Sequence, residues 1–220
     1  YLVRTRDGRE FSAKYLVGAD GWNSLVRRKL FQGSPRLLWA EQFVTSGTMD
    51  KDAMHFFYDQ RYKGGYRWEF PHVLGKRVGF TRGTDERPQF LERHGRPIPY
   101  DYDQVVNGNA CLVGDAAGQA NPITFGGIRI GMAAAKMAAE AIVKGGPEEY
   151  ARSWPRSPYA SPAYVKAFES LQGMDNAELF RSVRPFRKGY GKISGALAML
   201  SGKKYRELYR AYELGAKWGW

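Results

Sequence analysis

Cysteine is nearly absent from this chain: Cys111 is the only one in 220 residues. A lone thiol excludes an internal disulfide and any multi-cysteine metal site, and it suits a reducing compartment. In its apolar run Cys111 reads as a buried small hydrophobe. Histidine is almost as scarce. His55, His72 and His94 stand isolated, so no metal-ligand spacing is present and no metal is expected. No run reaches the ~18–20 uninterrupted apolar residues that a membrane span needs. The best candidate, 126–143, carries Arg129, Lys136 and Glu140 and reads as a soluble helix. Internal repeats, a Walker loop, a G-x-S-x-G elbow and a G-x-G-x-x-G turn after a strand are all missing. Tyr1-Leu2-Val3-Arg4-Thr5 reads as mid-strand, without an initiator methionine or a charged-then-apolar leader.

What is present is an ordinary globular composition, 43% hydrophobic and 25% charged, with a net charge of +12. The charge is unevenly placed. From Arg181 to Trp220 ten Lys/Arg stand against two glutamates, interleaved with Phe186, Tyr190, Tyr205, Tyr209, Tyr212, Trp218 and Trp220. Such interleaving suits anionic lipid headgroups, and it equally suits a solvated helical surface with aromatic core contacts. No nucleic-acid motif accompanies the charge, so nucleic acid is not an expected partner.

The length allows one or two domains. Residues 2–17 read as a hairpin whose turn is Arg6-Asp7-Gly8-Arg9, because Asp-Gly suits positive φ. Tyr15-Leu16-Val17 then runs into Gly18-Ala19-Asp20-Gly21, and Ser24 is a good N-cap for a short basic helix over 25–31, closed by Gly33. Short aromatic strands follow at 37–45, 53–58, 65–70 and 77–81, which predicts an antiparallel sheet. The polar stretch 85–96 reads as one short helix broken by Pro97-Ile98-Pro99. An apolar run at 110–113 enters Gly114-Asp115-Ala116-Ala117-Gly118, and after Asn121-Pro122 a small-residue helix runs to about Lys144, stopped by Gly145-Gly146-Pro147. Several helices fill the remainder. The divisions are therefore 1–33, 34–98, 99–146 and 147–220: an α/β pattern, α+β within this stretch, in which a nucleotide-domain-like framework holds an antiparallel β insertion and ends in a helical region.

The strongest motif is L-V-G-D-A-A-G-Q-A-N-P-I-T-F-G-G-I at 112–128. A strand delivers Asp115 at its carboxyl end, where ligands of open α/β sheets bind. A carboxylate there accepts hydrogen bonds from sugar-like hydroxyls, and the glycines let backbone approach a flat or phosphorylated ligand. Gly126-Gly127 leave the next helix N-terminus bare, with unpaired N–H groups and about half a positive charge. Gly127, Gly131 and Ala135 form a small-residue stripe that lets this helix lie close to a sheet or a ligand. Tight helix–sheet packing without a ligand accounts for the same spacing equally well. The second motif, V-G-A-D-G-W-N-S at 17–24, is explained residue by residue as strand, turn and capped helix. Its position about 95 residues upstream, with a β-rich insertion between, gives the pair more weight.

The pair A-D-G-W-N-S and V-G-D-A-A-G-Q-A-N-P resembles the second and third FAD-contact motifs of flavoproteins of the aromatic-hydroxylase fold. Within that group the chain is similar to the geranylgeranyl reductase family, through G-G-Y-R-W-E-F-P at 64–71, which fits that family's Y-x-W-x-F-P signature, and I-R-I-G-M-A-A-A-K-M-A-A-E-A at 128–141. The resemblance covers about residues 1–146 well and the rest loosely. It implies a partial FAD-binding domain with an antiparallel β substrate domain. It also implies that Asp115 binds the ribityl chain, with Gly114, Ala116 and Gly118 beside the pyrophosphate and Pro122 fixing the turn. Asp20 and Gly21 then support the cofactor, and Gly126, Gly127 and Ile128 offer amides to the isoalloxazine. Tyr66, Trp68, Phe70 and Pro71 line the path of an isoprenoid chain. Alternation puts Tyr66, Trp68 and Phe70 on one strand face and Arg67 and Glu69 on the other, a pattern that fits a plain core as well.

The implied activity is reduction of geranylgeranyl C=C bonds with FAD, with NAD(P)H or ferredoxin as electron donor. The implied location is the cytoplasm, with peripheral membrane contact through the basic aromatic C-terminal region. No catalytic residue is named. Two alternatives remain: an FAD monooxygenase or halogenase of the same fold, and a non-catalytic half of a split flavoprotein. The chain departs from the family in two places. Related proteins begin with a G-x-G-x-x-G segment that is absent here, so the N-terminal part is expected to be missing or on a separate chain, and FAD binding by this polypeptide alone to be weak or nil. The segment between Thr84 and Ile98 is also shorter than the family pattern.

Overall fold

A computed structural model of the protein describes residues 1–81, 84, 86–186 and 205–219. In chain order the strands are β1 (Leu2–Arg4), β2 (Glu10–Ser12) and β3 (Leu16–Gly18), then helix α1 (Leu25–Leu30), then β4 (Arg36–Thr45), β5 (His55–Phe57), β6 (Arg67–His72), β7 (Gly75–Thr81), β8 (Glu92–Tyr100), β9 (Val106–Asn107) and β10 (Ala110–Leu112). Helices α2 (Ile128–Val143), α3 (Glu148–Ser153), α4 (Pro162–Gln172), α5 (Asn176–Val183) and α6 (Arg206–Trp218) follow. The chain divides into two compact units, one of residues 1–37, 98–121 and 125–161, the other of 38–97, 122–124 and 162–220.

In the first unit β1 and β2 form the expected hairpin, with Gly8 at φ +84° in its turn. A three-stranded sheet has the order β3-β10-β9, with β10 parallel to β3 and antiparallel to β9. Ala110, Cys111 and Leu112 are fully buried under Ile130, Ala134, Ala138 and Ala141 of α2. Burial pushes the Cys111 thiol up to about 11, which makes it a core residue and not a nucleophile. The alanine face is what lets α2 approach the sheet closely; Gly131 goes further, since an added β-carbon there would stand 3.2 Å from Gly114 Cα.

The second unit is built on a five-stranded sheet of order β5-β6-β7-β4-β8. The pairs β5–β6, β6–β7 and β7–β4 are antiparallel. Phe43, Phe80 and Tyr62 form its buried cluster, and α4 packs on α6 through residues such as Phe168, Leu208 and Tyr209 that are buried.

One element differs from expectation. The stretch 85–96 carries no helix at its described residues, and from Glu92 it forms β8, with Pro97 and Pro99 inside the strand. Proline withdraws a ladder donor, but β8 is the last strand of its sheet, and at its end the Pro99 carbonyl still accepts from Ala120 N–H (3.3 Å) while Tyr100 bridges Gln119. The charges that suggested a solvated helix, Glu92 through Arg96, lie on the exposed part of that edge.

Candidate functional site

The site begins where β10 ends. Its last residues lead into a 3-10 turn at Gly114–Ala117, which starts at Gly114 with φ +63° and closes at Gly118 with φ +60°. Both conformations favour glycine. At Gly114 an added β-carbon meets nothing within 4 Å, so the backbone there is bare to open space. Behind the turn, Gly114 N–H donates to Gln119 Oε1 (2.7 Å), Gln119 Nε2 donates to the Tyr150 hydroxyl (2.7 Å), and that hydroxyl donates to the Leu112 carbonyl (3.0 Å). Gln119 and Tyr150 are buried. Sequence reasoning missed both; they fix the turn through a closed relay of hydrogen bonds.

Asp115 projects from this turn with its carboxylate exposed, and among the described residues it has neither a hydrogen bond nor an ion pair on that group. Although the residue is exposed, the cleft walls partly desolvate its carboxyl and raise its pKa above the ordinary carboxylate value, and nothing counters it. Facing it is the start of α2. Gly127 is the N-cap and offers no side-chain cap, and a β-carbon there would stand 3.5 Å from Asp115 Oδ1. A free carboxylate and an uncapped helix end therefore share one place, an open cleft of about 570 Å3 within the first unit.

Of the residues singled out in the sequence, Gly21, Gly114, Asp115, Gly127 and Ile128 line this cleft. The stripe of Gly131 and Ala135 lines it as well, while Ile130, Ala134 and Ala138 take the core side of the helix. The others have different positions. Asp20 accepts from Ser24 Oγ (2.5 Å), Leu25 N–H (2.6 Å) and Val26 N–H (3.2 Å), so its carboxylate is occupied at the start of α1. Burial works to raise its pKa, but the bonds from Ser24, Val26 and Leu25 outweigh it and hold the carboxyl low. Ala116 is fully buried and Gly118 packs against Pro35 and Tyr102. The Gly126 carbonyl accepts from Asn121 N–H (2.9 Å), and Pro122 is buried in the other unit.

Ala19, Ile98, Val113, Ala120, Phe125 and Met132 also line the cleft, and sequence reasoning assigned none of them a site role. Arg27 is a further residue of consequence. Its guanidinium is buried and donates to the Ala116 carbonyl (2.8 Å) and the Trp22 carbonyl (2.7 Å), so it ties the two motifs together. Among the described residues its Nε has no hydrogen-bond partner, and burial lowers its pKa.

In the second unit Tyr66, Trp68 and Phe70 share a face with Phe56 and Tyr58 as a run of ring contacts 5.5–6.5 Å apart. Trp68 and Phe70 are half-buried and Phe56 and Tyr58 exposed, so this row is not a sealed core. Trp68 Nε1 donates to Gln42 Oε1 at 3.3 Å. On the opposite face Glu69 accepts from Arg67 and from Lys76 Nζ (3.0 Å), and Arg67 Nε lies 3.2 Å from Glu86. Pro71 is half-buried opposite Lys76. His72 Nδ1 accepts from Leu74 N–H and His94 meets Glu92. No metal-binding cluster occurs among the described residues.

The fold is that of FAD-dependent oxidoreductases of the aromatic-hydroxylase type. A geranylgeranyl bacteriochlorophyll reductase-like protein from Thermoplasma acidophilum superposes with a TM-score of 0.73 at 20% identity, over 92% of this chain and 63% of that one. A probable FAD-dependent monooxygenase, PqsL of Pseudomonas aeruginosa, gives a TM-score of 0.60 at 21% identity, over 83% and 62%. In sequence the chain is similar to digeranylgeranylglycerophospholipid reductase 2 of Methanococcoides burtonii, with 28% identity over 163 residues. That match covers 61% of this chain and 40% of the relative, so the chain spans about two fifths of it. The resemblance to the geranylgeranyl reductase family therefore holds. No family model matches the sequence.

Proposed function

We propose that this chain supplies the isoalloxazine side and the substrate sheet of an FAD-dependent reductase acting on the C=C bonds of a geranylgeranyl lipid. The observation that carries the reading is the pairing of the unpartnered Asp115 carboxylate with the uncapped N-terminus of α2 in one cleft. Those donors and acceptors fit the group: Asp115 accepts from ribityl hydroxyls, and the amides of Gly127 and Ile128 favour negative charge at the ring's pyrimidine edge. Gly21 and Gly114, each bare of neighbours where a β-carbon would go, admit the cofactor's backbone-close portions. Asp20 serves at one remove, by holding the start of α1. When bound there, FAD in its reduced form would supply the hydride for one alkene carbon, with a proton added at the other. Trp68, Phe70 and Pro71 present the apolar surface along which an isoprenoid chain lies and from which water is excluded.

NAD(P)H or ferredoxin is the proposed electron source. Peripheral membrane contact is proposed for the basic aromatic C-terminal region. Residues 187–204 and 220 of that region lie outside the described residues, while α6 exposes Trp218 beside Lys217. Sedimentation with anionic vesicles checks this: removal of the basic residues should weaken it, and unchanged sedimentation rejects it.

The reaction is tested by joining the part of the Methanococcoides relative that the match leaves uncovered to this chain and supplying reduced FAD and digeranylgeranylglycerophospholipid. A mass gain of two hydrogens per reduced bond supports the proposal. Oxygenated product instead supports the monooxygenase reading, which the structural likeness to PqsL keeps in view.

A further inference from the structure

The loop entering α2 holds a bulky residue in a conformation that bulky residues avoid. Phe125 has φ +58°, in the left-handed region, and it lines the cleft. Such a residue persists only where its surroundings over-determine it. The peptide joining Thr124 to Phe125 is held at both ends. Its N–H donates to the Asn121 carbonyl (2.8 Å), and its carbonyl accepts the Tyr66 hydroxyl (2.5 Å). The first bond is internal to the loop. The second comes from the residue just before β6, in the same unit as Thr124, and the next residue along, Phe125, already belongs to the unit of the cleft.

Returning Phe125 to negative φ requires this peptide to rotate, which swings the Thr124 carbonyl away from Tyr66. We propose that Tyr66 is a positioning residue for the cleft: its hydroxyl clamps the Thr124–Phe125 peptide and so keeps Phe125 in the left-handed conformation that makes it part of the cleft wall. Tyr66 is 7% exposed, and burial raises its pKa above the ordinary phenol value, so its hydroxyl keeps the proton that it donates. The first aromatic residue of the Y-x-W-x-F-P run then shapes the ring site, and Trp68 and Phe70 are left to meet an apolar chain. The meaning of the clamp rests on the flavin reading of the cleft; its test reads the loop alone.

Amide hydrogen exchange of the chain itself provides that test, with Tyr66→Phe, Phe125→Gly and the double variant. In Tyr66→Phe the amides of Phe125 and Asn121 should exchange roughly tenfold faster, while those of Val78 and Phe80 in β7 keep their rates. Adding Phe125→Gly should bring the Asn121 amide back near its original rate, because glycine holds left-handed φ without help. The inference is overturned by unchanged exchange in Tyr66→Phe, by acceleration spread equally into β7, or by acceleration that glycine at 125 does not reverse. Failure of flavin binding by the chain joined to the uncovered part of the Methanococcoides relative would count against the flavin reading and leave the exchange result intact.

Discussion

The indole of Trp68 rests on the backbone of Gly79, its partner in the β6–β7 register. A β-carbon on Gly79 would stand 2.1 Å from the indole Cε2 and Cζ2 atoms. The position opposite on β4 is Gln42, whose side chain accepts the indole N–H, so one cross-strand row holds the ring in place. Gly79→Ala therefore has to lift Trp68 off the sheet. Overpacking of this kind costs about 1–3 kcal/mol. The expected result is a lower Tm with red-shifted tryptophan emission, and an unchanged Tm means that the ring does not sit there.

Asp115 should show opposite effects on stability and binding. Its folded pKa is raised by burial, so the folded state holds the proton more tightly than the unfolded state. Its contribution to stability therefore falls as pH rises from the ordinary carboxylate range through that raised value. Asp115→Asn should leave Tm at neutral pH equal or higher. In the chain joined to the uncovered part of the Methanococcoides relative, the same change should weaken flavin binding about tenfold or more, the value of a charge-assisted hydrogen bond. A substantial fall in Tm would mean that Asp115 has a structural partner.

For Asp20 the sign reverses. Burial alone would raise its pKa, but the bonds from Ser24, Val26 and Leu25 leave it lowered. Its stabilisation is complete above the unfolded carboxylate pKa and is lost as pH falls through the folded value. Asp20→Asn should flatten the acid limb of a Tm-against-pH curve. Ser24→Ala removes both the bond to Arg27 N–H (2.9 Å) and the donor to Asp20, and should cost about 1 kcal/mol in urea denaturation.

Arg27→Lys keeps the charge but cannot reach two carbonyls with the same fork. It should destabilise the chain by about 1–3 kcal/mol, the cost of a buried carbonyl left unpaired. Faster exchange at the Gly118 amide, which closes the turn on Asp115, should accompany it. Wild-type stability in this variant would show that the Ala116 and Trp22 bonds are dispensable.

Much of the framework could be read from local chemistry, since Gly8, Ser24, Gly114 and Gly118 each mark a turn or cap that only a few residue types allow. The alternation around Trp68 was legible for the same reason: a period of two has one structural meaning when charges occupy the other face. β8 was not legible, because an edge strand tolerates the charges and prolines that elsewhere signal a helix and its end. Phe125 could not be found at all. An aromatic residue carries no local preference for positive φ, so its conformation depends on partners such as Asn121 that the loop brings together. Arg27 was hidden similarly, since a basic residue on a short polar helix reads as solvated until the Ala116 carbonyl is seen beside it.

The parallel pairing of Leu16 with Ala110 joins positions 94 residues apart in the chain. During synthesis the first half of that ladder leaves the ribosome long before its complement exists, whereas β6 and β7 are neighbours and can zip at once. The chain is thus expected to order its insertion before its cofactor framework. Pulse-labelled refolding should find Val78 protected earlier than Cys111, and until then a newborn β3 is an edge without its parallel partner.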